Sequence, residues 1–414
     1  MKIFRKPIFT GFAPNLTTAD VLKAISFLLL PWKWTGIRNG KNIQQVEQKL
    51  SAEFSAKHCV VFDSGRSALY FILKGLGTQP GDEIMLQAFT CVVVPNAIIG
   101  AGGKPVYVDT NVDFNLDTND LEKKITHKTK AIIIQHTFGR PADVNFALNL
   151  AKKYRLTTVE DCAHALGVKY HGKSLGTFAD TAFFSFGSDK PVSCGRGGAI
   201  ITNNDELAGK LRQFQSTLPP AKIFKTIQHL LHFIIFAAAK PLYNLGVGKC
   251  ALWCAKHLNL INKIIYPEEK RGKAVSFYPS QMANCLANIL LGQLRQIDGF
   301  NAHREKIARM YQTRVNNPKV SLPADGQSVS FLRYPILVDD PNALRRLAKR
   351  NGIILGDWYD CPVAPKDIDV LAAEYQMGSC QNAEKLSSRV VNLPTDTHIS
   401  EKDALRIIKL VNSF

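Results

Sequence analysis

Between residues 59 and 202 the chain alternates short runs of β-branched and aliphatic residues with segments of helical periodicity. The predicted strands are residues 59–62, 83–86, 105–108, 131–135, 157–160, 182–186 and 199–202. Several are almost wholly apolar, which is typical of strands covered by helices on both faces. The segments between the first five strands each have room for one helix, such as residues 67–74, which end at Gly75 and Gly77. The sequence therefore predicts an α/β large domain with a mainly parallel sheet flanked by helices.

The chain has 414 residues, more than one simple core usually holds, so we expect two domains. Outside the predicted sheet, the pattern predicts an N-terminal helix around Ile43, Val46 and Leu50 and one long helix from Met282 toward Arg309. It also predicts strands at 331–338 and 352–355 and a terminal helix at 401–410. We expect a large domain over residues 1–300 and a smaller C-terminal α+β domain over residues 301–414.

Residues 222–263 form an apolar insertion within the predicted large domain, with lysines at both ends and between the apolar pieces. The segment can be interpreted as interfacial helices that contact a membrane or a lipid-linked substrate. The alternative, which we favour, is an insertion buried in a subunit interface. His229 and His232 have no carboxylate nearby in sequence, so we expect no metal site there. We interpret Cys250 and Cys254, one helical turn apart, as packing residues.

The composition narrows the range of partners and compartments. The net charge is +18, but no long Lys/Arg block and no nucleic-acid module occur, so we expect an anionic substrate or membrane surface and no nucleic acid. The nine cysteines contain no CxxC pair, which argues against a disulfide scaffold or zinc site and favours a reducing cytoplasm. We find no signal peptide and no spanning segment. The expected location is the cytoplasm, with peripheral contact to the inner face of the membrane as an option.

Polar residues follow three of the predicted strands, at the sheet edge where ligands gather in open α/β folds. The turn Ser64-Gly65-Arg66 opens a helix, where free N–H groups can bind phosphate, although such turns are also common helix caps. Asp161 ends the strand at 157–160, where a buried carboxylate can keep a heterocyclic nitrogen protonated; a helix cap is the alternative. Lys190 closes a Ser/Gly-rich turn after the strand at 182–186, which leaves its amine open to a carbonyl cofactor.

In their order and spacing, these motifs resemble the DegT/StrS-type PLP-dependent sugar aminotransferases, which have the aspartate-aminotransferase fold. The motifs that carry the resemblance are the phosphate turn, Glu160-Asp161-x-Ala163, Phe184-Ser185-Phe186-x-x-x-Lys190, Gly195-x-Gly197-Gly198, Pro105-Val106-Tyr107-Val108-Asp109, and the stretch 293–311. The resemblance covers residues 40–215 well. It implies a homodimer that uses pyridoxal 5'-phosphate (PLP) to move an amino group from an amino acid, glutamate by resemblance, to a keto-sugar in polysaccharide or sugar-nucleotide biosynthesis.

The resemblance also implies roles for individual residues. Lys190 would be the catalytic Schiff-base lysine and proton shuttle, and Asp161 would pair with the pyridine nitrogen. The full set of implied cofactor-binding residues is Gly65, Arg66, Cys91, Asp161, Ala163, His164, Ser185 and Lys190, with no metal. Three departures from the family stand out: Arg66 replaces a threonine of the phosphate turn, Cys91 replaces an aromatic that stacks on the ring, and the Asn-x-Arg signature is missing near residues 276–278.

Two alternatives remain open at this stage. A PLP-dependent sugar dehydratase on the same fold would have histidine in place of the lysine, so Lys190 argues against it. A non-catalytic or regulatory protein associated with the membrane through residues 222–263 is favoured by the missing aromatic and the missing signature. The presence of both Lys190 and Asp161 argues against that second alternative.

Overall fold

The computed structural model describes residues 7–11, 15–324 and 329–414. The strands in these residues are β1 (Ile8–Phe9), β2 (His58–Phe62), β3 (Glu83–Gln87), β4 (Thr90–Cys91), β5 (Lys104–Val108), β6 (Thr129–Gln135), β7 (Thr157–Asp161), β8 (Lys169–Tyr170), β9 (Lys173–Ser174), β10 (Thr181–Ser185), β11 (Gly198–Thr202), β12 (Arg333–Leu337), β13 (Ile353–Ile354), β14 (Val363–Ala364) and β15 (Val390–Pro394). The α-helices are α1 (Thr18–Leu29), α2 (Asn42–Phe54), α3 (Gly65–Gly75), α4 (Val93–Ala101), α5 (Thr118–Lys123), α6 (Val144–Tyr154), α7 (Asp205–Thr217), α8 (Ile223–Ala239), α9 (Val247–His257), α10 (Asn284–Leu294), α11 (Ile297–Arg314), α12 (Pro341–Arg350), α13 (Gln381–Arg389) and α14 (Glu401–Asn412).

A seven-stranded sheet forms the centre of the large domain, in the order β2-β11-β10-β7-β6-β3-β5. The five strands β10, β7, β6, β3 and β5 are parallel to one another. Strand β11 is antiparallel to both of its neighbours, β10 and β2. Each of the seven strands overlaps a segment predicted from the sequence. The predicted fold class, an α/β domain with a mainly parallel sheet flanked by helices, is confirmed.

Helices cover both faces of this sheet, as the apolar strands predicted. In β6, the side chain of Ile133 packs in the core that contains residues of α3 and α4. Ile132 and Ile134 point to the opposite face and pack with residues of α6. Successive side chains of a strand alternate between faces, so a strand that is apolar at every position must be covered twice.

The long helix predicted from Met282 toward Arg309 is two helices. Helix α10 ends at Leu294 and α11 begins at Ile297, because Gln296 (φ −111°, ψ 3°) leaves the helical region. The prediction of one helix was wrong because Arg295 and Gln296, the residues at the break, are not helix breakers; the glycines Gly292 and Gly299 lie three residues to either side, inside the two helices. Contacts from elsewhere in the chain hold the end of α10: the side chain of Gln293 donates to the carbonyl of Asn15 at 2.8 Å.

The C-terminal part contains the antiparallel pair β12–β15 and is joined to the rest by two short parallel pairs. Strand β14 pairs with β4 next to the end of β3, and β1, near the start of the chain, pairs with β13. The first described residues therefore attach to the C-terminal part. A boundary between domains near residue 300 stays a prediction; helix α11 runs through that position.

The apolar insertion consists mainly of α8 and α9. One face of α8 is buried, including Leu230, Phe233 and Phe236. Helix α1 packs against α8, and α9 packs against its end. In α9 only Gly248 and Ala255 are buried, so this helix presents most of its apolar residues to the outside. None of the helices in the described residues is long and apolar enough to cross a membrane.

The cysteines of α9 are not packing residues, so that prediction was wrong. Cys250 is exposed and Cys254 is partly exposed. The sequence pattern around them is apolar, but α9 fully buries only Gly248 and Ala255, and Leu252 and Cys254 are partly covered. Apolar composition alone does not decide which face of a helix is covered.

The glycine at the start of β11 makes a testable prediction about the fold. A Cβ on Gly198 would lie 2.3 Å from the carbonyl carbon of Ser64, so Gly198→Ala forces two backbone segments apart. We expect the free energy of unfolding to fall by about 1–3 kcal/mol, as in other overpacked sites. The control is Gly209→Ala in α7, where a Cβ meets nothing within 4 Å and alanine favours the helix. Urea unfolding of both variants, followed by circular dichroism, measures the difference; equal midpoints would contradict the close contact.

Candidate active site

A cavity lies at the carboxyl ends of the parallel strands and has an empty volume of about 1260 Å³, including the part open to solvent. The C-terminal part contributes residues 357–360 and 364–365 to its wall. All the cofactor-binding residues named from the sequence line this one cavity: Gly65, Arg66, Cys91, Asp161, Ala163, His164, Ser185 and Lys190. The structure thus brings together residues that are up to 125 positions apart in the chain.

The turn after β2 brings the start of α3 against the end of β10. Ser64 caps the helix by accepting a hydrogen bond from the backbone N–H of Ser67 at 3.3 Å. A Cβ on Gly65 would lie 2.7 Å from the Cβ of Ser185, so glycine permits this close approach. The Ser185 hydroxyl has no hydrogen-bond partner among the described residues, and the first turn of a helix leaves N–H groups without intrahelical partners. This corner of the cavity is suited to bind an anion such as a phosphate.

Arg66 lines the same corner, but most of its guanidinium is already engaged. Its Nε lies 3.0 Å from Oε1 of the buried Glu269, and its Nη2 donates to the carbonyl of Ile264 at 2.6 Å. Glu269 also accepts hydrogen bonds from the Tyr278 hydroxyl and the Tyr266 N–H, both at 2.6 Å. Within the described residues, only Nη1 of Arg66 is left without a hydrogen-bond partner. Arg66 can therefore offer a bound anion only one free nitrogen, Nη1.

Sequence reasoning missed a second arginine, Arg196, in the glycine-rich stretch before β11. Its Nε and Nη2 donate to Oδ2 of Asp63 at 3.1 and 2.9 Å, and both side chains are buried. The guanidinium carbon lies 4.9 and 4.6 Å from the ring centroids of Phe277 and Tyr278. Its Nη1 has no hydrogen-bond partner among the described residues. The available signal in the sequence was an arginine between two glycines, Gly195 and Gly197, together with Asp63 directly after β2.

Asp161 ends β7 inside the cavity. Its Oδ1 accepts the backbone N–H of Ala163 at 2.9 Å, and its Oδ2 has no hydrogen-bond partner in the part of the chain that the structure describes. Burial raises the pKa of Asp161, while the Ala163 N–H and the charge of Lys190 lower it in part. A carboxylate buried with one oxygen unpaired favours a ligand that brings a protonated nitrogen.

Lys190 lies under an aromatic residue that sequence reasoning did not select, Trp358. The lysine Nζ is 5.1 Å from the centroid of the Trp358 ring and makes no hydrogen bond to the described residues. Trp358 belongs to the segment between β13 and β14, and its ring is nearly parallel to that of His164 at 5.3 Å. The guanidinium carbon of Arg333 lies 3.3 Å from the same ring centroid. The cavity therefore has an aromatic side chain, Trp358 from the C-terminal part, in its lining in addition to the small side chain of Cys91.

His164 is held as a neutral ring. Its Nδ1 accepts the backbone N–H of Phe138 at 3.3 Å, so the proton is assigned to Nε2, which lies 3.4 Å from the Tyr359 hydroxyl. Burial, followed by the charges of Lys190 and Arg333, lowers the pKa of His164 well below its usual value. In this state Nε2 can donate one hydrogen bond and carries no charge.

A buried group of His136, Glu160 and Cys162 lies on the other face of β7. His136 Nδ1 accepts the N–H of Ala142 at 3.1 Å, so Nε2 carries the proton and donates to Glu160 at 3.0 Å. Glu160 in turn accepts N–H groups from three residues after β9, at positions 176, 178 and 179. Both ring nitrogens of His136 are engaged in hydrogen bonds, so the imidazole has no free lone pair for a metal. The His136–Glu160 pair instead holds the loop at residues 176–179 in place.

The fold and the cavity together define a class of protein. A lysine amine, a buried carboxylate on the neighbouring strand and an anion site at a helix start, all on a mainly parallel sheet, are the elements of a PLP-dependent transferase. The sequence model of the DegT/DnrJ/EryC1/StrS aminotransferase family matches residues 30–231 and 262–412. The chain belongs to this family.

Individual relatives agree with this assignment. GDP-perosamine synthase from Escherichia coli O157:H7 is 28% identical over 378 residues, which are 91% of this chain and 90% of the relative. A dTDP-3-amino-3,4,6-trideoxy-alpha-D-glucose transaminase from Streptomyces venezuelae is 28% identical over 381 residues, covering 91% and 87%. Among solved structures, S. venezuelae DesV in complex with a ketimine intermediate has a TM-score of 0.73 at 25% identity and covers 95% of this chain and 94% of its own.

The chain is therefore a PLP-dependent sugar aminotransferase of sugar biosynthesis. The predictions of family, enzyme class and cofactor made from the sequence are confirmed. The fold is also that of Bacillus subtilis NtdA with bound PMP, at a TM-score of 0.76 and 24% identity, covering 98% of this chain and 85% of the other. The family match omits residues 232–261, which include the C-terminal half of α8 and all of α9.

The buried pair of Asp63 and Arg196 generates a stability prediction. Asp63→Asn leaves a buried guanidinium without its counter-charge, and breaking a buried pair in this way costs about 3–5 kcal/mol. The control is Asp205→Asn, which removes an exposed carboxylate that pairs with Lys57 and His58 and costs about 1 kcal/mol or less. Urea unfolding midpoints at pH 7 compare the two. A loss no larger for Asp63 than for Asp205 would show that Arg196 does not depend on this partner.

Proposed function

We propose that Lys190 and Asp161 are the catalytic residues of an aminotransferase that takes the amino group of glutamate and delivers it to a keto-sugar. The observation that carries the proposal is the cavity itself, where a lysine amine and a buried carboxyl on neighbouring strand ends face the same space. The glutamate donor and the keto-sugar acceptor are proposed from the family. The relatives described above are named for GDP- and dTDP-linked sugars.

The phosphate of the cofactor is proposed to bind at the start of α3. The first-turn N–H groups at Gly65 and Arg66 and the hydroxyl of Ser185 supply neutral donors there. The Nη1 atoms of Arg66 and Arg196 supply positive charge, and charge-assisted hydrogen bonds to phosphate are about twice as strong as neutral ones. Glu269 and Asp63 hold the two guanidinium groups in place from behind. Arg66 is thus proposed to take the place of the threonine that the family has in the phosphate turn.

The ring of the cofactor is proposed to lie between Ala163 and the wall formed by Cys91 and Trp358. When bound, PLP supplies an electron sink for the negative charge that develops on the substrate carbon. Asp161 Oδ2 accepts a hydrogen bond from the protonated ring nitrogen and keeps the proton there. The raised pKa of Asp161 reflects burial, and the positive nitrogen supplies the partner that the buried carboxylate lacks. His164, neutral with its proton on Nε2, offers a donor near the ring hydroxyl.

Lys190 is proposed to have two tasks. Its amine would hold the cofactor covalently, and as a free amine it would act as the base that takes and returns the proton of the substrate carbon. A general acid–base group placed in this way contributes roughly 10²–10⁴-fold to a rate. Trp358 covers the amine from the C-terminal side, so water has limited access to the reacting atoms.

We also propose that the enzyme works in the cytoplasm as a homodimer, by resemblance to the family, and sedimentation equilibrium tests the oligomeric state. A finer proposal concerns a peripheral contact of the segment 222–263 with the inner face of the membrane. The supporting observation is that Trp253 of α9 and Leu258, the residue after its end, are 62% and 69% exposed beside Lys249 and Lys256. Exposed apolar side chains among lysines are typical of helices that lie on anionic lipid.

The role of Lys190 is tested by Lys190→Ala. We expect the absorbance band of the covalently bound cofactor to disappear and the transfer rate from glutamate to fall by roughly 10²-fold or more, because both the link and the proton carrier are lost. Lys402→Ala, an exposed residue of α14, is the control and keeps both properties. A Lys190→Ala protein with the band of the unmodified enzyme would mean that another lysine binds the cofactor.

The membrane contact is tested by the double variant Trp253→Ser/Leu258→Ser. Burial of such side chains is worth about 1.5–3 kcal/mol each, so we expect co-sedimentation with phosphatidylglycerol-containing vesicles to weaken by roughly 10-fold or more. Leu371→Ser removes a side chain that is 86% exposed in the C-terminal part and serves as the control. Unchanged sedimentation of the double variant, or equal sedimentation with neutral vesicles, would exclude this contact.

A further inference from the structure

The rim of the active-site cavity is formed in part by the segment that follows α9. Asn262, Lys263 and Ile264 line the cavity that contains Lys190. The segment reaches the cavity along α8, since Gln228 Nε2 donates to the carbonyls of residues 259 and 261 at 2.6 and 3.0 Å. Residues 232–261, which the family match omits, are therefore followed directly by the residues that line the mouth of the site.

Lys263 lines this cavity, and Lys222 and Lys225 at the start of α8 line a small adjacent pocket that shares Arg196 with it. The Nζ of Lys222 donates to the carbonyl of Ser276 at 3.0 Å, and the Nζ of Lys225 donates to Oε1 of Gln228 at 3.1 Å. None of these three lysines has a carboxylate within 4.0 Å in the part of the chain that the structure describes. Burial lowers the pKa of Lys225, and the charges of Lys263, Arg196 and Lys222 lower it further, although Glu268 raises it in part. These cations are close enough to repel one another. An anionic ligand between them would relieve that repulsion.

Apolar side chains extend outward from the same lysines. Phe224, between Lys222 and Lys225, is 83% exposed, and Ile264 is exposed next to Lys263. Leu260 and Leu258 continue the exposed apolar residues toward α9. We call Phe224, Leu258, Leu260 and Ile264 the apolar track. These side chains lie on the two segments that Gln228 joins, the start of α8 and residues 258–264. Large exposed apolar side chains indicate a binding region for an apolar partner.

The segment that contains the track is strongly basic up to Glu268 and Glu269, which follow it. Residues 207–267 contain no Asp or Glu, and their basic residues are Lys210, Arg212, Lys222, Lys225, Lys240, Lys249, Lys256 and Lys263. A second copy of this surface, related by a two-fold axis through it, would bring like charges face to face, which is unfavourable. A molecule with an apolar chain and a strongly anionic group matches the surface in both respects.

We propose that the acceptor keto-sugar is carried on a lipid through a diphosphate. The diphosphate binds Lys222, Lys225 and Lys263, the lipid chain lies on the apolar track, and the sugar extends into the cavity toward Lys190. The inference rests on the proposed function, because it names the carrier of the same acceptor. It also gives a reason for the insertion: the apolar track leads from the cavity to the exposed helix α9.

The experiment measures the binding of soluble probes to the PLP-loaded enzyme by isothermal titration calorimetry. The probes are farnesyl diphosphate, farnesol, inorganic diphosphate, UDP, GDP and dTDP. We expect farnesyl diphosphate to bind at least 10-fold more tightly than each of the others. The triple variant Lys222→Gln/Lys225→Gln/Lys263→Gln should weaken its binding at least 10-fold, whereas Lys402→Gln should leave it unchanged.

A second variant tests the apolar half of the proposal without touching a charge. Phe224→Ser alters a side chain that is 83% exposed, so folding is not at risk. We expect it to weaken farnesyl diphosphate several-fold and to leave inorganic diphosphate unaffected. Equal loss for both probes, or no loss for either, would overturn the assignment of the lipid chain to the apolar track.

The remaining outcomes separate this inference from the proposed function. In the same samples, glutamate should change the absorbance of the bound cofactor, which reports the donor reaction. If it does so while any nucleotide diphosphate binds as tightly as farnesyl diphosphate, or while farnesol does, the lipid diphosphate is wrong and the aminotransferase stands. Absence of binding by farnesyl diphosphate overturns the inference in the same way. An absorbance that glutamate does not change would instead contradict the glutamate-dependent function.

Discussion

The close approach of the turn after β2 to the ends of β10 and β11 is the constraint on which the site depends. Gly65 lies against Ser185, and Gly198 lies against the backbone of Ser64, at distances that leave no room for a side chain. This contact places the start of α3 beside the loop that carries Lys190. The start of α3 and the amine of Lys190 thus come close together because Gly65 and Gly198, which have no side chain, let the neighbouring backbone segments approach.

The charges around this contact explain how the chain tolerates its departures from the family pattern. Arg196 is fixed by Asp63 and by the rings of Phe277 and Tyr278, and Arg66 is fixed by Glu269. Residues 276–278, where the Asn-x-Arg signature is missing, thus support two arginines that follow or precede strands of the sheet. Phe277 and Tyr278 lie against Arg196, and Tyr278 donates to Glu269, the partner of Arg66. Buried charges of this kind need partners, so the substitutions have to be read as a set rather than one by one.

The insertion combines two different surfaces on neighbouring helices. Helix α8 buries Phe233 and a neutral His232, whose pKa is lowered to about 3 by burial, and so belongs to the core of the large domain. Helix α9 rests on it through small residues and leaves its apolar side chains outside. The family match omits residues 232–261 and resumes at 262, where the chain reaches the cavity rim. An addition to the fold is thus placed next to the chemistry without disturbing the sheet.

Local pattern was enough to determine the sheet strands and the residues that stand at their carboxyl ends, because alternation and turn residues are properties of neighbours in the chain. The order of those motifs was enough to single out Lys190 and Asp161. Only the tertiary structure decided that Arg196 pairs with Asp63, that Trp358 covers Lys190, and that the helix after Met282 breaks at Gln296. These features depend on contacts between segments far apart in sequence, whose partners no local periodicity specifies.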